Sequence, residues 1–215
     1  MCDSLKNQLY AIISGKIEVR NGKTIQTIAS YLRTSKEASI EFKESKHFKE
    51  EERKRLEIFI AQNSLWLDSI DLDAYVSEGA EQKVYLNNQT TVLKLNDSIY
   101  YAKWLDYFHN LLLHNFFFED TAYKLIGFYK LDNVLFAVVQ QPYVLVNSVT
   151  NLNNVKTFLK INGFVNTRNN DYYNSELGII LEDLHDENVL TKDGLLYFID
   201  TVFYLTPDFW KDFVS

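Results

Sequence analysis

Apolar residues recur at helical spacing over residues 3–40, with Leu5, Leu9, Ile12 and Ile13 on one stripe and Ile25, Ile28, Ala29 and Leu32 on another. The turn signal Asn21-Gly22 separates the stripes, so the pattern predicts two short helices. The run from Glu41 to Glu57 mixes acidic and basic residues and carries an apolar stripe only at its end, through Leu56, Phe59 and Ile60. It predicts a solvated helix face, with a partner-binding arm as the other reading. From Tyr75 the pattern changes to strand-like runs, AYVSEGAEQKVYL and TTVLKL, joined at Asn87-Asn88 as a hairpin. Helical periodicity returns over residues 98–113, and GFYKLDNVLFAVVQQPYV predicts a second hairpin around Asp132-Asn133. Beyond Pro142 the pattern predicts a helix over about 150–161, stopped by Asn162-Gly163, a polar loop through NTRNNDYYN, and short strands bracketing Lys192-Asp193-Gly194.

Composition sharpens this picture. The 215 residues are 47% hydrophobic and 15% aromatic, enough to fill a core, and seven Gly and two Pro leave little room for linkers. The expected class is α+β. A formal charge of −7 argues against nucleic acid as a partner, since phosphate backbones require clustered Lys and Arg. It leaves nucleotides open, because a few local donors and metal ions hold those. The only cysteine is Cys2, which excludes a disulfide framework and a Cys-based zinc site and suits a reducing compartment. No run of 18 apolar residues and no secretory leader pattern occurs, so the chain is expected in the cytoplasm, away from membranes.

The chemistry concentrates in LEDLHDENVLTKDGLLYFID. Asp183 and Asn188 sit five apart in a loop, and the second strand of the following hairpin ends at Asp200. Such a loop and hairpin can bring three oxygen-bearing side chains to one small volume. Phosphoryl transfer uses that set: a carboxylate to orient the attacking hydroxyl and take its proton, and an amide and a second carboxylate to hold Mg²⁺ against phosphates. Upstream, Lys94 stands inside the apolar strand TTVLKLN, where burial requires an anion beside it, and Gly79 stands in a preceding turn. His109 and His114, five apart in an apolar helix without a third ligand, predict structural or surface roles, and Trp104 with Phe116, Phe117 and Phe118 predicts core packing.

DLHDENVL with FIDT, VLKL and EGAEQKVY resembles the protein kinase-like superfamily, and more closely the reduced kinase-like domains of polyvalent proteins from phages and conjugative elements. The catalytic loop is similar to that of aminoglycoside kinases. The resemblance implies a two-lobed fold: a helical extension over 1–70, a first lobe over 71–142 and a reduced second lobe over 143–215. It implies ATP and Mg²⁺ as cofactors, Asp183 and Lys94 as catalytic residues, and Asn188 and Asp200 as metal ligands. Glu78, Gly79, Lys94 and Gln141 are the implied nucleotide-binding positions, and Asp106 the acidic partner of Lys94. Leu181 stands where many kinases have His, with His185 a substitute from the other side of the loop. With 15 residues after Asp200, a regulated protein kinase is not expected. The acceptor would be a small molecule or a protein, residues 1–70 could hold a protein partner, and an inactive binding module is the competing reading.

Overall fold

The computed structural model describes residues 2–34, 45–79 and 82–213. Helices α1 (Cys2–Ile13), α2 (Lys23–Thr34) and α3 (Ser45–Gln62) come first. The two predicted stripes turn inward: Leu9, Ile12, Ile13, Ile25, Ile28, Ala29 and Leu32 are buried, and Asn21 takes a φ of 56° in the turn between α1 and α2. The segment 35–44 of the predicted helical and charged runs lies outside the described residues.

An antiparallel sheet follows, in the order β1-β2-β3-β5-β4, from β1 (Tyr75–Glu78), β2 (Gln82–Asn88), β3 (Thr91–Asn96), β4 (Lys124–Leu131) and β5 (Val134–Pro142). The first turn falls at Gln89-Thr90 instead of Asn87-Asn88, because β2 runs on through Asn88, whose side-chain oxygen accepts from the Thr90 N–H at 2.9 Å. Asp132 and Asn133, with φ of 48° and 68°, make the expected two-residue turn, whose twist matches the flanking strands.

Between β3 and β4 lies α4 (Trp104–Phe117), of whose 14 residues 11 are buried, so it is apolar nearly all round like a core helix. Each fully buried large apolar side chain on it, such as Phe108 or Leu112, contributes about 1.5–3 kcal/mol. The helix starts at Trp104, six residues later than its periodicity predicts. Asn96 and Asp97 divert the chain by accepting from the Ser98 and Ile99 N–H groups, and Glu52 of α3 accepts from the Trp104 N–H at 2.6 Å. Lys49 of α3 donates to the Ser98 and Tyr101 carbonyls at 2.5 and 2.8 Å. The charged run is therefore more than a solvated face: Glu52 is buried, and that burial raises its carboxyl above the usual range.

The last third is built from short strands. Helix α5 (Leu152–Ile161) is capped by Asn151, which accepts from the Asn153 N–H, and ends at Gly163 with a φ of 80°. A four-stranded sheet in the order β11-β8-β7-β6 joins β6 (Val165–Arg168), β7 (Asp171–Asn174), β8 (Ile179–Glu182) and β11 (Val202–Leu205). The expected polar loop NTRNNDYYN is thus the β6–β7 hairpin. Strands β9 (Val189–Lys192) and β10 (Leu195–Phe198) pair across Asp193-Gly194, and α6 (Pro207–Trp210) closes the described chain. One core cluster runs from α1 to α6, and a smaller one, with Tyr85, Leu95, Phe136 and Val138, covers the outer face of the five-stranded sheet. Among the described residues, no helix is long and apolar enough to cross a membrane.

Candidate active site

A cleft of about 290 Å³ opens between the inner face of β1–β3, residues 141–144 after β5, and the segment Glu187–Asn188 with Ile199 and Asp200. Strand alternation aims Lys94 into it, since neighbouring Leu93 and Leu95 point to the outer cluster. Lys94 is 4% exposed, and its Nζ donates to the Ile199 carbonyl at 2.8 Å, lies 3.9 Å from Asp200 Oδ2 and sits 5.5 Å from the Tyr123 ring centre. The ammonium has the anion its burial requires, and that anion is Asp200. Asp200 Oδ2 also accepts from Gln82 Nε2, which ties the start of β2 to the same carboxylate.

The loop after β8 places the other two predicted residues. Asp183 has a φ of 62°, in the left-handed region that Asp and Asn tolerate better than most side chains. Its N–H donates to Asp171 Oδ1 at 3.1 Å, and the Leu184 N–H donates to the Asn170 carbonyl at 3.1 Å. The β6–β7 hairpin thus supports the loop, while Leu181 is buried in the core. Asn188 Nδ2 donates to the Asp183 carbonyl and to its Oδ2, at 2.8 and 2.9 Å. The Asn188 carbonyl in turn accepts from the N–H groups of Ile199 and Asp200, at 3.0 and 3.4 Å. His185 Nε2 lies 3.4 Å from Asp183 Oδ1. Burial, aided by the charge of Asp200, raises the Asp183 carboxyl above the usual aspartate range, with His185 and the Asn188 hydrogen bond opposing.

A buried hub fixes the segment before Asp200. Thr121 Oγ1 donates to the Phe198 carbonyl, and the Tyr123 hydroxyl donates to the Ile199 carbonyl at 2.9 Å. The Thr121 carbonyl accepts from Gln141 Nε2 at 2.8 Å and from His114 Nε2 at 3.0 Å. Burial lowers His114 to about 3, so the ring is neutral; with Nε2 donating, Nδ1 accepts from the Thr201 hydroxyl at 2.7 Å. His109 is likewise lowered to about 3 by burial. Both rings stay neutral in the folded state and charge near 6.5 once unfolded, so stability should fall as pH drops from about 6.5 towards 3. Each accounts for up to ~1.4 kcal/mol per pH unit. Urea unfolding at pH 7 and pH 5 measures that loss, and His114→Asn should reduce it.

The remaining predicted positions divide. Glu78 and Gly79 line the cleft, with Glu78 Oε1 3.3 Å from Lys83 Nζ, and Ala80 and Glu81 lie outside the described residues. Gln141 lines the cleft with its amide nitrogen committed to Thr121. Asp106 is not brought to Lys94. It faces another cavity with Arg33 and Lys103, two helical turns, about 12 Å, before the His114 end of α4 that adjoins the lysine. Glu119 pairs with Arg20 at 3.7 Å. Gln82, Thr121 and Tyr123 escaped sequence reasoning, because each acts through a partner far along the chain, whereas His114 takes a buried, structural position. Only Asn169-Asn170 carried a local signal, as a turn pair between strand-like runs.

A buried strand lysine, a loop asparagine and a following Asp in one cleft, with a loop Asp bonded to that asparagine, in a mixed α+β chain, define a kinase-like domain. The chain belongs to the family of serine/threonine/tyrosine kinases found in polyvalent proteins, whose model it matches over residues 49–207, more than half its length. The match takes in most of α3, the helix that caps α4. No curated protein and no solved structure matches the chain.

Proposed function

We propose that the chain is an ATP- and Mg²⁺-dependent phosphotransferase on a two-lobed fold, with residues 71–142 and 143–215 as the lobes and 1–70 as a helical extension. The observation that supports it best is the meeting of Lys94, Asn188 and Asp200 in one cleft, with Asp183 bonded to Asn188 beside it. Val84 and Val92 on the sheet side and Leu190 opposite offer apolar walls to a flat base. The donor set fits Mg²⁺, which takes few protein oxygens and keeps phosphate and water ligands. Asn188 turns its amide nitrogen to Asp183, leaving its oxygen as an acceptor, and Asp200 keeps Oδ1 beyond the Gln82 contact. Bound there, Mg²⁺ would neutralise charge on the phosphates.

In this reading Lys94 holds the α and β phosphates and Gly79 belongs to the covering turn. Asp183 orients the acceptor hydroxyl and takes its proton as the acceptor oxygen bonds the γ-phosphorus and the bond from that phosphorus to the bridging oxygen of ADP breaks, and its raised carboxyl suits that work. The acceptor in this reading is a small molecule, or a protein presented by another part of a larger assembly. Calorimetry with ATP and Mg²⁺ tests the nucleotide site. Wild type should bind, and Lys94→Ala and Asp200→Ala should each weaken binding about 10- to 100-fold, the worth of a charge-assisted hydrogen bond. Unchanged binding in both variants would sink the reading.

A further inference from the structure

A second cavity, of about 460 Å³, lies away from the cleft, walled by α2, the first half of α4, β11 and α6. That size is within the range of small-molecule sites. Two cations, Arg33 and Lys103, line it against one carboxylate, Asp106, and Phe203 and Trp210 supply flat apolar surface. His109 also lines it. This ring is 6% exposed, and its Nε2 has no hydrogen-bond partner among the described residues.

The contrast with the rest of α4 gives this weight. Asn110 accepts from the Phe203 N–H at 2.9 Å, His114 is bonded through both nitrogens, and Asn115 holds the Arg20 and Tyr123 carbonyls. An orphaned buried polar group costs about 1–3 kcal/mol, so native proteins pair such groups with protein, water or ligand. His109 lines the cavity instead, so a group entering there lies beside a ring whose buried nitrogen has no partner among the described residues. Burial, with Arg33 and Lys103 adding to it, keeps the ring uncharged, so it acts as a neutral hydrogen-bonding group. Arg33 spends one guanidinium nitrogen on the Ile13 carbonyl at 2.5 Å, which leaves further N–H donors on the same fork.

We infer that this cavity binds a small organic anion with a flat apolar body: Arg33 and Lys103 meet the negative group, His109 pairs with a polar atom, and Phe203 and Trp210 cover the body. The site has a route to Asp200. Strand β11 begins two residues after it, Asn110 of α4 holds Phe203 in that strand and His114 holds Thr201 just before it, so a ligand bridging α4 and β11 would stiffen the segment carrying Asp200. The binding claim rests on the cavity's own lining and holds whatever occupies the cleft.

The test uses the full chain labelled with ¹⁵N at histidine, titrated with phenyl phosphate and, separately, with inorganic phosphate. A saturable shift of the His109 imidazole signals is expected with phenyl phosphate, weakened at least tenfold in Lys103→Gln and unchanged in Lys94→Ala. Lys103 is half-exposed, so its replacement leaves the core intact. No His109 shift at millimolar phenyl phosphate overturns the proposal. So does weakening by Lys94→Ala with none by Lys103→Gln, which would place the probe in the cleft. Equal binding of inorganic phosphate would overturn the organic body.

Discussion

Asp183→Asn should cut transfer of labelled γ-phosphate from ATP by about 10²–10⁴, the usual contribution of a positioned general base. The same variant should bind Mg·ATP within about twofold of wild type, because Lys94 and Asp200 carry that contact in the proposed site. The substitution isolates chemistry from folding for a local reason. Asp183 has a φ of 62°, and Asn adopts the left-handed region as readily as Asp, whereas Ala would add strain. The Asp183 carbonyl, which accepts from Asn188, is also retained. An unchanged transfer rate would remove Asp183 from the chemistry while leaving the nucleotide site standing. The pH profile adds a second reading. Burial and the charge of Asp200 raise the carboxyl, so the acid limb of kcat/KM in the wild type should lie above the ordinary aspartate value of about 3.9.

The parts of the fold legible in the sequence are those specified by neighbours. Asp132-Asn133 and Asp193-Gly194 dictate tight turns by backbone preference, and Asn162-Gly163 stops α5 for the same reason. The loop carrying Asp183 and Asn188 is equally local, since five residues of chain bring the amide to the carboxylate. What the sequence withheld depends on distant partners. The start of α4 is decided by Glu52, 52 residues upstream, so periodicity alone placed it too early. The acid beside Lys94 is Asp200, 106 residues downstream, whereas Asp106 stands on the helix next along the chain. The β6–β7 hairpin reads as loop because its first strand is exposed on both faces and lacks an apolar alternation, yet it holds the Asp183 N–H.

Gly178→Ala should destabilise the protein by at least about 3 kcal/mol, while Gly79→Ala should change stability by less than about 0.5 kcal/mol. The two glycines differ in what a methyl group would meet. At Gly178, with a φ of 68°, a Cβ would lie 2.3 Å from the Phe209 nitrogen and 2.8 Å from its Cα, backbone that cannot swing aside. That contact seats α6 on the start of β8: the Gly178 carbonyl accepts from the Thr206 N–H at 3.0 Å and from its hydroxyl at 2.9 Å, and Phe209 is fully buried behind it. At Gly79 no atom of the described residues, its chain neighbours aside, lies within 4 Å of where a Cβ would stand. For a chain of this size the Gly178 loss corresponds to a Tm lower by roughly 6–12 °C, read from thermal melts. Phosphate transfer should fall with it, because β8 leads directly into Asp183. Any loss of Mg·ATP binding in Gly79→Ala, at unchanged Tm, would then report on the turn over the cleft itself. A Gly178→Ala melt coincident with wild type would show that α6 is not held against β8 at this point, and that the support under the Asp183 loop comes from the β6–β7 hairpin alone.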